Sequence, residues 1–256
     1  MPKNHAEPCS RDALVQAADA LLQPARFKDY GPNGLQVEGK AQVRQLVSGV
    51  TASLALIDAA IEQGADVILV HHGLFWRGQD GRVTGWMKQR LAQLIRHDIN
   101  LLAYHLPLDA HPELGNNAQL AQRLGLQVQG TFGDQDLGLW GTPQNTDPAA
   151  FLKTAETQFG RQPLVVQPDP QRPWKRIGWC SGGAQGYFEA AIAAGVDAFI
   201  TGEISEPQAH LARETGVAFV SCGHHATERW GAQAVAGHLA HELGLQHTFI
   251  DIPNPA

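Results

Sequence analysis

The sequence has only three cysteines, Cys9, Cys180 and Cys222, scattered widely and without a Cys-x-x-Cys pair. That argues against a disulfide framework or a thiolate zinc site and suits a reducing cytoplasm, the expected location of the chain. No apolar run approaches the ~20 residues of a membrane span, so no membrane partner is expected. The opening MPKNHAEPCSRDALV has no apolar stretch after its lysine, and no secretory signal is expected there. The net charge is −6 and no block of lysine or arginine occurs. Nucleic-acid binders usually carry a basic stripe, so nucleic acid is not an expected partner. No nucleophile elbow or Ser-His-Asp arrangement stands out.

What the sequence does have is histidine, twelve residues in 256, set in a regular alternation of strands and helices. Ser10 before RDALVQAADALLQ predicts an N-capped helix with Leu14, Ala17, Ala18 and Leu21 on one face. RQLVSGV (44–50) reads as a strand, SLALIDAAIEQG (53–64) as a helix stopped by Gly64, and ADVILVHH as the next strand. WMKQRLAQLIRHD (86–98) predicts a helix with Leu91, Leu94 and Ile95 inward, feeding the strand INLLAYH (99–105). Such alternation predicts an α/β fold with mostly covered strands.

The chain also repeats itself. Slid by 131 residues without gaps, QLVSGVTASLALIDAAIEQGADVILVHH (45–72) falls on RIGWCSGGAQGYFEAAIAAGVDAFITGE (176–203). Ile61 meets Ile192, Gly64 meets Gly195 and Asp66 meets Asp197. Any βαβ unit shares some of this order, but here the register holds across the whole unit. The reading is two similar α/β lobes with mixed sheets, the first over 1–128 plus 224–256 and the second over 129–223.

In open α/β sheets, binding residues gather just past the carboxyl ends of strands. Those positions hold His71 and His72, then His105 and Asp109, then Glu203, then His224, His225 and Glu228. His224 and Glu228 stand one helical turn apart and face one point. His71 and His72 are neighbours on a strand, where successive side chains leave opposite faces. A bend after Val70 would splay them so that each serves a different ion of a pair. Asp109 and Glu228 can bridge, because ions ~3.5–4 Å apart need shared carboxylate oxygens to offset their repulsion. His97, His210, His238, His241 and His247 read as ordinary structural or surface residues. His111 and His225 read as neighbours of the ligands or substrate-facing groups. The glycine-rich CSGGAQG (180–186) fits neither G-x-G-x-x-G nor the Walker pattern, and a tight turn explains it better than phosphate binding.

YGPNGLQVEG, VILVHHGLFWRG, HLPLDAHPELGNN, CSGGAQGYFEAAIAAGVDAFITGE and GHHATERWG together resemble the Nif-three-like dinuclear-metal family, the type-two homologues of GTP cyclohydrolase I. The resemblance runs from about residue 10 to the end. It implies two α/β lobes packed around a dinuclear site carried by His71, His72, Asp109, His224 and Glu228, with two divalent ions per chain. Mixed nitrogen and oxygen donors suit zinc, iron, manganese or nickel. It also implies a toroidal homohexamer, a trimer of dimers. Many relatives have tyrosine where this chain has His225. The expected activity is metal-dependent hydrolysis of a nucleotide-like small molecule by a metal-bridging hydroxide, with Glu203, His105 or His225 moving protons. For a GTP-like substrate, the guanine ring carbon would be hydrated and released as formate. A rival expectation is a non-catalytic metal-handling or regulatory interaction protein. A ring encircling DNA is a third, and the acidic charge counts against it.

Overall fold

The computed structural model describes residues 8–256. The first seven residues, on which part of the no-signal expectation falls, lie outside the described residues. By contact the chain divides into two units. One runs through Leu108 and includes Gly231–Pro253, and the other is Asp109–Trp230 with Asn254–Ala256.

The first unit opens with β1 (Cys9–Ser10) and α1 (Arg11–Leu22). Ser10 Oγ accepts from the Ala13 N–H at 3.1 Å, the expected N-cap, and Leu14, Ala18 and Leu22 form the buried stripe. There follow β2 (Gly34–Val37), β3 (Gln42–Val43), which pairs with β1, and β4 (Gln45–Thr51). Next come α2 (Leu54–Glu62), β5 (Val67–His72), α3 (Gly85–Arg96), β6 (Asn100–Ala103) and α4 (Leu106–Ala110), whose last residues count with the second unit. The main sheet has the order β13-β4-β5-β6-β2, where β13 is Gln246–Phe249. Its first four strands are parallel and β2 is an antiparallel edge. Val47, Ile57, Ile68, Val70, Leu94 and Leu101 sit in its buried core.

One inward residue of α3 is corrected. Met87, Leu91 and Leu94 are buried, whereas Ile95 is 66% exposed. At about 100° per residue, the stripe at 87, 91 and 94 is narrow, and Ile95 falls off its edge.

The second unit contains α5 (Asn116–Leu124), β7 (Leu126–Phe132), β8 (Gly138–Pro143), α6 (Pro148–Phe159), β9 (Leu164–Val166), β10 (Ile177–Trp179), α7 (Phe188–Ala193), β11 (Ala198–Thr201), α8 (Glu206–Thr215) and β12 (Ala218–Ser221). α9 (His224–Leu243) begins in it. The sheet order is β7-β8-β10-β11-β12-β9, parallel through β10, β11 and β12 and antiparallel at the other pairings. The fold is thus mixed α/β with mixed sheets. The expected join at 128 falls instead at 108/109. Leu120, Ala121 and Leu124 of α5 are buried in the same core as Phe151, Trp179 and Ile200, which ties that helix to the second sheet. Likewise the second unit keeps α9 as far as Trp230, and residues 254–256, which the expected boundaries had placed in the first lobe. The thiols of Cys180 and Cys222 are buried, and Cys222 is pushed up to about 12 by burial.

The repeat is structural. Leu46 pairs with Val67 and Ser48 with Leu69 in the first unit, as Ile177 pairs with Ala198 and Trp179 with Ile200 in the second. Gly64 and Gly195 stop the helices at φ +67 and +73. The matched aspartates do one job twice. Asp66 accepts from the N–H groups of Arg44 (2.9 Å) and Gln45 (3.1 Å) and pairs with Lys40 (2.7 Å). Asp197 accepts from Lys175 (2.9 Å) and Arg176 (3.0 Å) and pairs with Arg172 (2.7 Å).

Burial raises the Asp66 pKa, but the Lys40 ammonium and the two N–H groups outweigh that and hold it below 3.8. Its stabilisation is therefore complete above the unfolded pKa and fades as pH falls through the depressed folded value. Asp66→Asn is expected to cost about 2 kcal/mol at neutral pH, read as a lower urea midpoint. The gap to wild type should narrow as pH falls through and below the ordinary carboxylate range; a gap constant with pH would refute the charge-based account.

Candidate metal centre

β5 does not bend after Val70, as the sequence reading required. It remains paired through His72, which faces Thr51 across the ladder. The two imidazoles are instead drawn to opposite neighbouring strands. His71 Nδ1 lies 3.2 Å from the carbonyl of Tyr104, just past β6, and His72 Nδ1 lies 3.1 Å from Thr51 Oγ1 on β4. The ring centroids are 4.5 Å apart and inclined by 43°. His71 is fully buried.

His105 follows β6 and joins this group. Its ring centroid is 4.9 Å from that of His71 and 5.7 Å from that of His72. One ligand atom from each of the three histidines lies within 4.8 Å of the others, a grouping that could hold a metal ion. Asp29 fixes His105, with Oδ1 2.7 Å from Nδ1. The Asp29 carboxylate also accepts from Asn33 Nδ2 (2.9 Å), the Leu106 N–H (2.9 Å) and the Tyr30 N–H (2.6 Å). Burial pushes the carboxyl up, but the bonds from His105, Asn33 and Leu106 prevail and bring it down to about 2. Trp76 stands edge-on to His105 at 5.1 Å, and Tyr30 flanks it at 6.0 Å. His71, His105, Asn33, Gln36 and Trp76 line a cavity of about 10 Å³, on the scale of a single water.

In the second unit, Asp109 and Glu228 are buried carboxylates, 8% and 3% exposed. An unpaired buried carboxylate is costly, so such groups are hydrogen-bonded, ion-paired or bound to metal. Asp109 Oδ1 accepts from Asn116 Nδ2 and Ser181 Oγ, each at 2.9 Å. Glu228 Oε2 lies 3.2 Å from His224 Nε2, one turn earlier on α9, and His224 Nδ1 lies 2.6 Å from Glu203 Oε1. Burial would lower the pKa of His224, but Glu228 and Glu203 overcome it and lift it to about 9. A ligating imidazole is neutral, so a metal ion held at His224 would have to displace a proton.

The glycine-rich turn makes room for this pair. Gly182 has φ +66, and a Cβ there would collide with the Glu228 carboxylate. Its N–H donates to Thr227 Oγ1 (2.9 Å) and the Ser181 N–H to Asn117 Oδ1 (2.8 Å), so both serve protein acceptors.

Among the described residues, five further histidines are surface or structural groups. His210 pairs with Glu206 at 2.8 Å, His238 lies 3.7 Å from Glu242, and His247 contacts Ser48 Oγ at 2.8 Å. His97 and His241 are exposed. His111 Nδ1 accepts from the N–H groups of Glu113 and Leu114. The N–H of half-buried His225 donates to the Ala256 carbonyl at 3.2 Å. Sequence reasoning missed Asp29, Thr51, Asn116, Ser181 and Gly182. For Asp29 the available signal was an acid directly before the turn-forming YGPNG.

The model of the Duf34/NIF3 (NGG1p interacting factor 3) family matches residues 9–255. A protein of Pseudomonas aeruginosa called GTP cyclohydrolase 1 type 2 homolog is 54% identical, over 95% of this chain and 97% of its own. Among solved structures, protein ybgI, of unknown function, has a TM-score of 0.93 at 47% identity, covering 97% of this chain and 100% of its own. TTHA1606 from Thermus thermophilus has a TM-score of 0.88 at 36% identity, covering 97% of this chain and 100% of its own.

Proposed function

This chain belongs to the Duf34/NIF3 family, and from that premise we propose that it is a metal-dependent hydrolase using two divalent ions per chain. The ligands proposed are His71, His72, Asp109, His224 and Glu228. The observation that carries the reading is donor chemistry: clustered imidazoles braced through Nδ1 in one unit, and buried carboxylates beside a braced histidine in the other. When bound, divalent ions polarise an electrophile and make water reactive near neutral pH.

The chain's own residues would do the rest. Glu203 holds His224 by Nδ1 and so sets the direction of its ring. Ser181 and Asn116 hold the Asp109 carboxylate in place. Trp76 and Tyr30 shield His105 from bulk water on two sides. His225 and Glu203 are the proposed proton carriers, with a nucleotide-like molecule as substrate. The hexamer implied by the family resemblance is part of the same proposal, to be read by sedimentation.

The test starts with metal content. Wild-type protein dialysed against zinc or manganese should retain two ions per chain, and His71→Ala should lose at least one. The loaded protein is then offered GTP, other nucleotides, phosphoesters and cyclic amides. Turnover that depends on metal and vanishes in His71→Ala supports the hydrolase. Full occupancy without turnover of any of these favours the rival reading, a metal-handling or regulatory protein.

A further inference from the structure

We propose that His105 is itself a metal donor, the third imidazole of a set with His71 and His72, and that Asp29 is the residue that positions it. The proposal rests on the metal-binding reading above and adds two residues to it. It is drawn entirely within the first unit.

Hydrogen bonding decides which nitrogen each ring offers. A backbone carbonyl and an ionised carboxylate can only accept hydrogen bonds. His71 Nδ1 faces the Tyr104 carbonyl and His105 Nδ1 faces the Asp29 carboxylate, so both carry their proton on Nδ1. The lone pair of each is then on Nε2, the nitrogen turned away from that bond. A hydroxyl can donate or accept, and with Thr51 accepting, His72 has the same tautomer. Three rings braced at the same nitrogen thus offer the other as donor, and one ligand atom from each lies within 4.8 Å of the others. Nitrogens sharing one zinc-sized ion at about 2.0–2.1 Å stand roughly 3.4 Å apart, within that limit.

The support around His105 is more than a surface histidine needs. Asp29 is 3% exposed and is anchored by Asn33 Nδ2 and the Leu106 N–H. Asn33 Oδ1 in turn accepts the His105 N–H at 2.7 Å. The side chain and the backbone of His105 are therefore fixed by one interlocked pair, Asp29 and Asn33. A carboxylate behind a histidine fixes tautomer and ring direction and makes the far nitrogen a better donor, the arrangement found behind metal-bound imidazoles. Asp29 and Glu203 stand in the same relation to His105 and His224.

The experiment uses the full-length protein loaded with cobalt(II), whose visible bands report the donor set, with affinity read by competition against a chromophoric chelator. Wild type, His105→Ala, His105→Gln, Asp29→Asn and His71→Ala are compared, and thermal melts confirm folding. The expected result is a shifted band pattern and roughly 100-fold weaker binding of at least one ion in both His105 variants. Added imidazole should restore the bands in His105→Ala, which a purely structural role would not allow. Asp29→Asn should weaken binding by about 10- to 100-fold. If both His105 variants keep wild-type bands and affinity while His71→Ala loses the metal, His105 is not a donor and only this proposal falls. If wild type itself takes up no cobalt, the metal-binding reading falls with it.

Discussion

Gly182→Ala is expected to lower metal affinity at least 100-fold through the addition of one methyl group. The residue sits at φ +66, and its Cβ would strike the Glu228 carboxylate and stand 3.2 Å from His224 Nε2. The backbone has no room to retreat. Its N–H is held by Thr227, and its carbonyl accepts from the Gly202 N–H at 2.9 Å and from Thr201 Oγ1 at 3.1 Å. Glu228 is the partner that must yield, and it lies buried on a long helix. Moving its carboxylate displaces a proposed ligand, so the loss appears in bound metal, measured by elemental analysis after dialysis. Left-handed backbone strain adds about 1–2 kcal/mol of destabilisation. Gly78→Ala is the control, because Gly78 has φ +80 and a methyl group there would meet nothing within 4 Å. It should show the strain alone and wild-type metal content. Equal metal content in both variants would defeat the steric argument.

Phe199→Ala is expected to be the most damaging core substitution, at about 3–5 kcal/mol. Phe199 is fully buried in β11, with Phe132 and Phe188 at 6.0 Å and Phe219 at 5.7 Å between ring centroids. Phe188 and Phe219 also meet edge to face at 4.9 Å. Phe188 and Phe219, braced by each other, cannot both relax into the space, so a cavity persists and adds to the lost transfer energy. Urea unfolding should show the midpoint falling with little change in slope. A cost below about 1 kcal/mol would mean that the ring cluster collapses freely.

The α/β alternation could be read from the sequence because it is written in local patterns: apolar runs of strand length, glycine stops, and a repeat with constant register. The G-x-D match proved to mark a physical device, an aspartate bonded to the start of a neighbouring strand in each unit. The histidines and carboxylates at strand ends were visible for the same reason. What supports them was not. Asp29 and His105 are 76 residues apart, and Ser181 reaches Asp109 across 72. No periodicity reports such pairings, which depend on tertiary placement. The bend expected after Val70 was an economical way to separate two adjacent imidazoles. The chain achieves this with the strand intact, because Thr51 and the Tyr104 carbonyl lie on different sides of β5. The unit boundary near 108 was missed because α5 is amphipathic in either setting, and only its burial with Phe151 and Trp179 assigns it.

Within the repeat, His72 and Glu203 occupy the same place, 131 positions apart and just at or beyond the end of matching strands. In one copy that place carries an imidazole, in the other the carboxylate that steadies His224. A duplicated scaffold allows this divergence: the twin aspartates preserve the backbone, and the residue at the strand tip can change its chemistry in one half without being lost from the other.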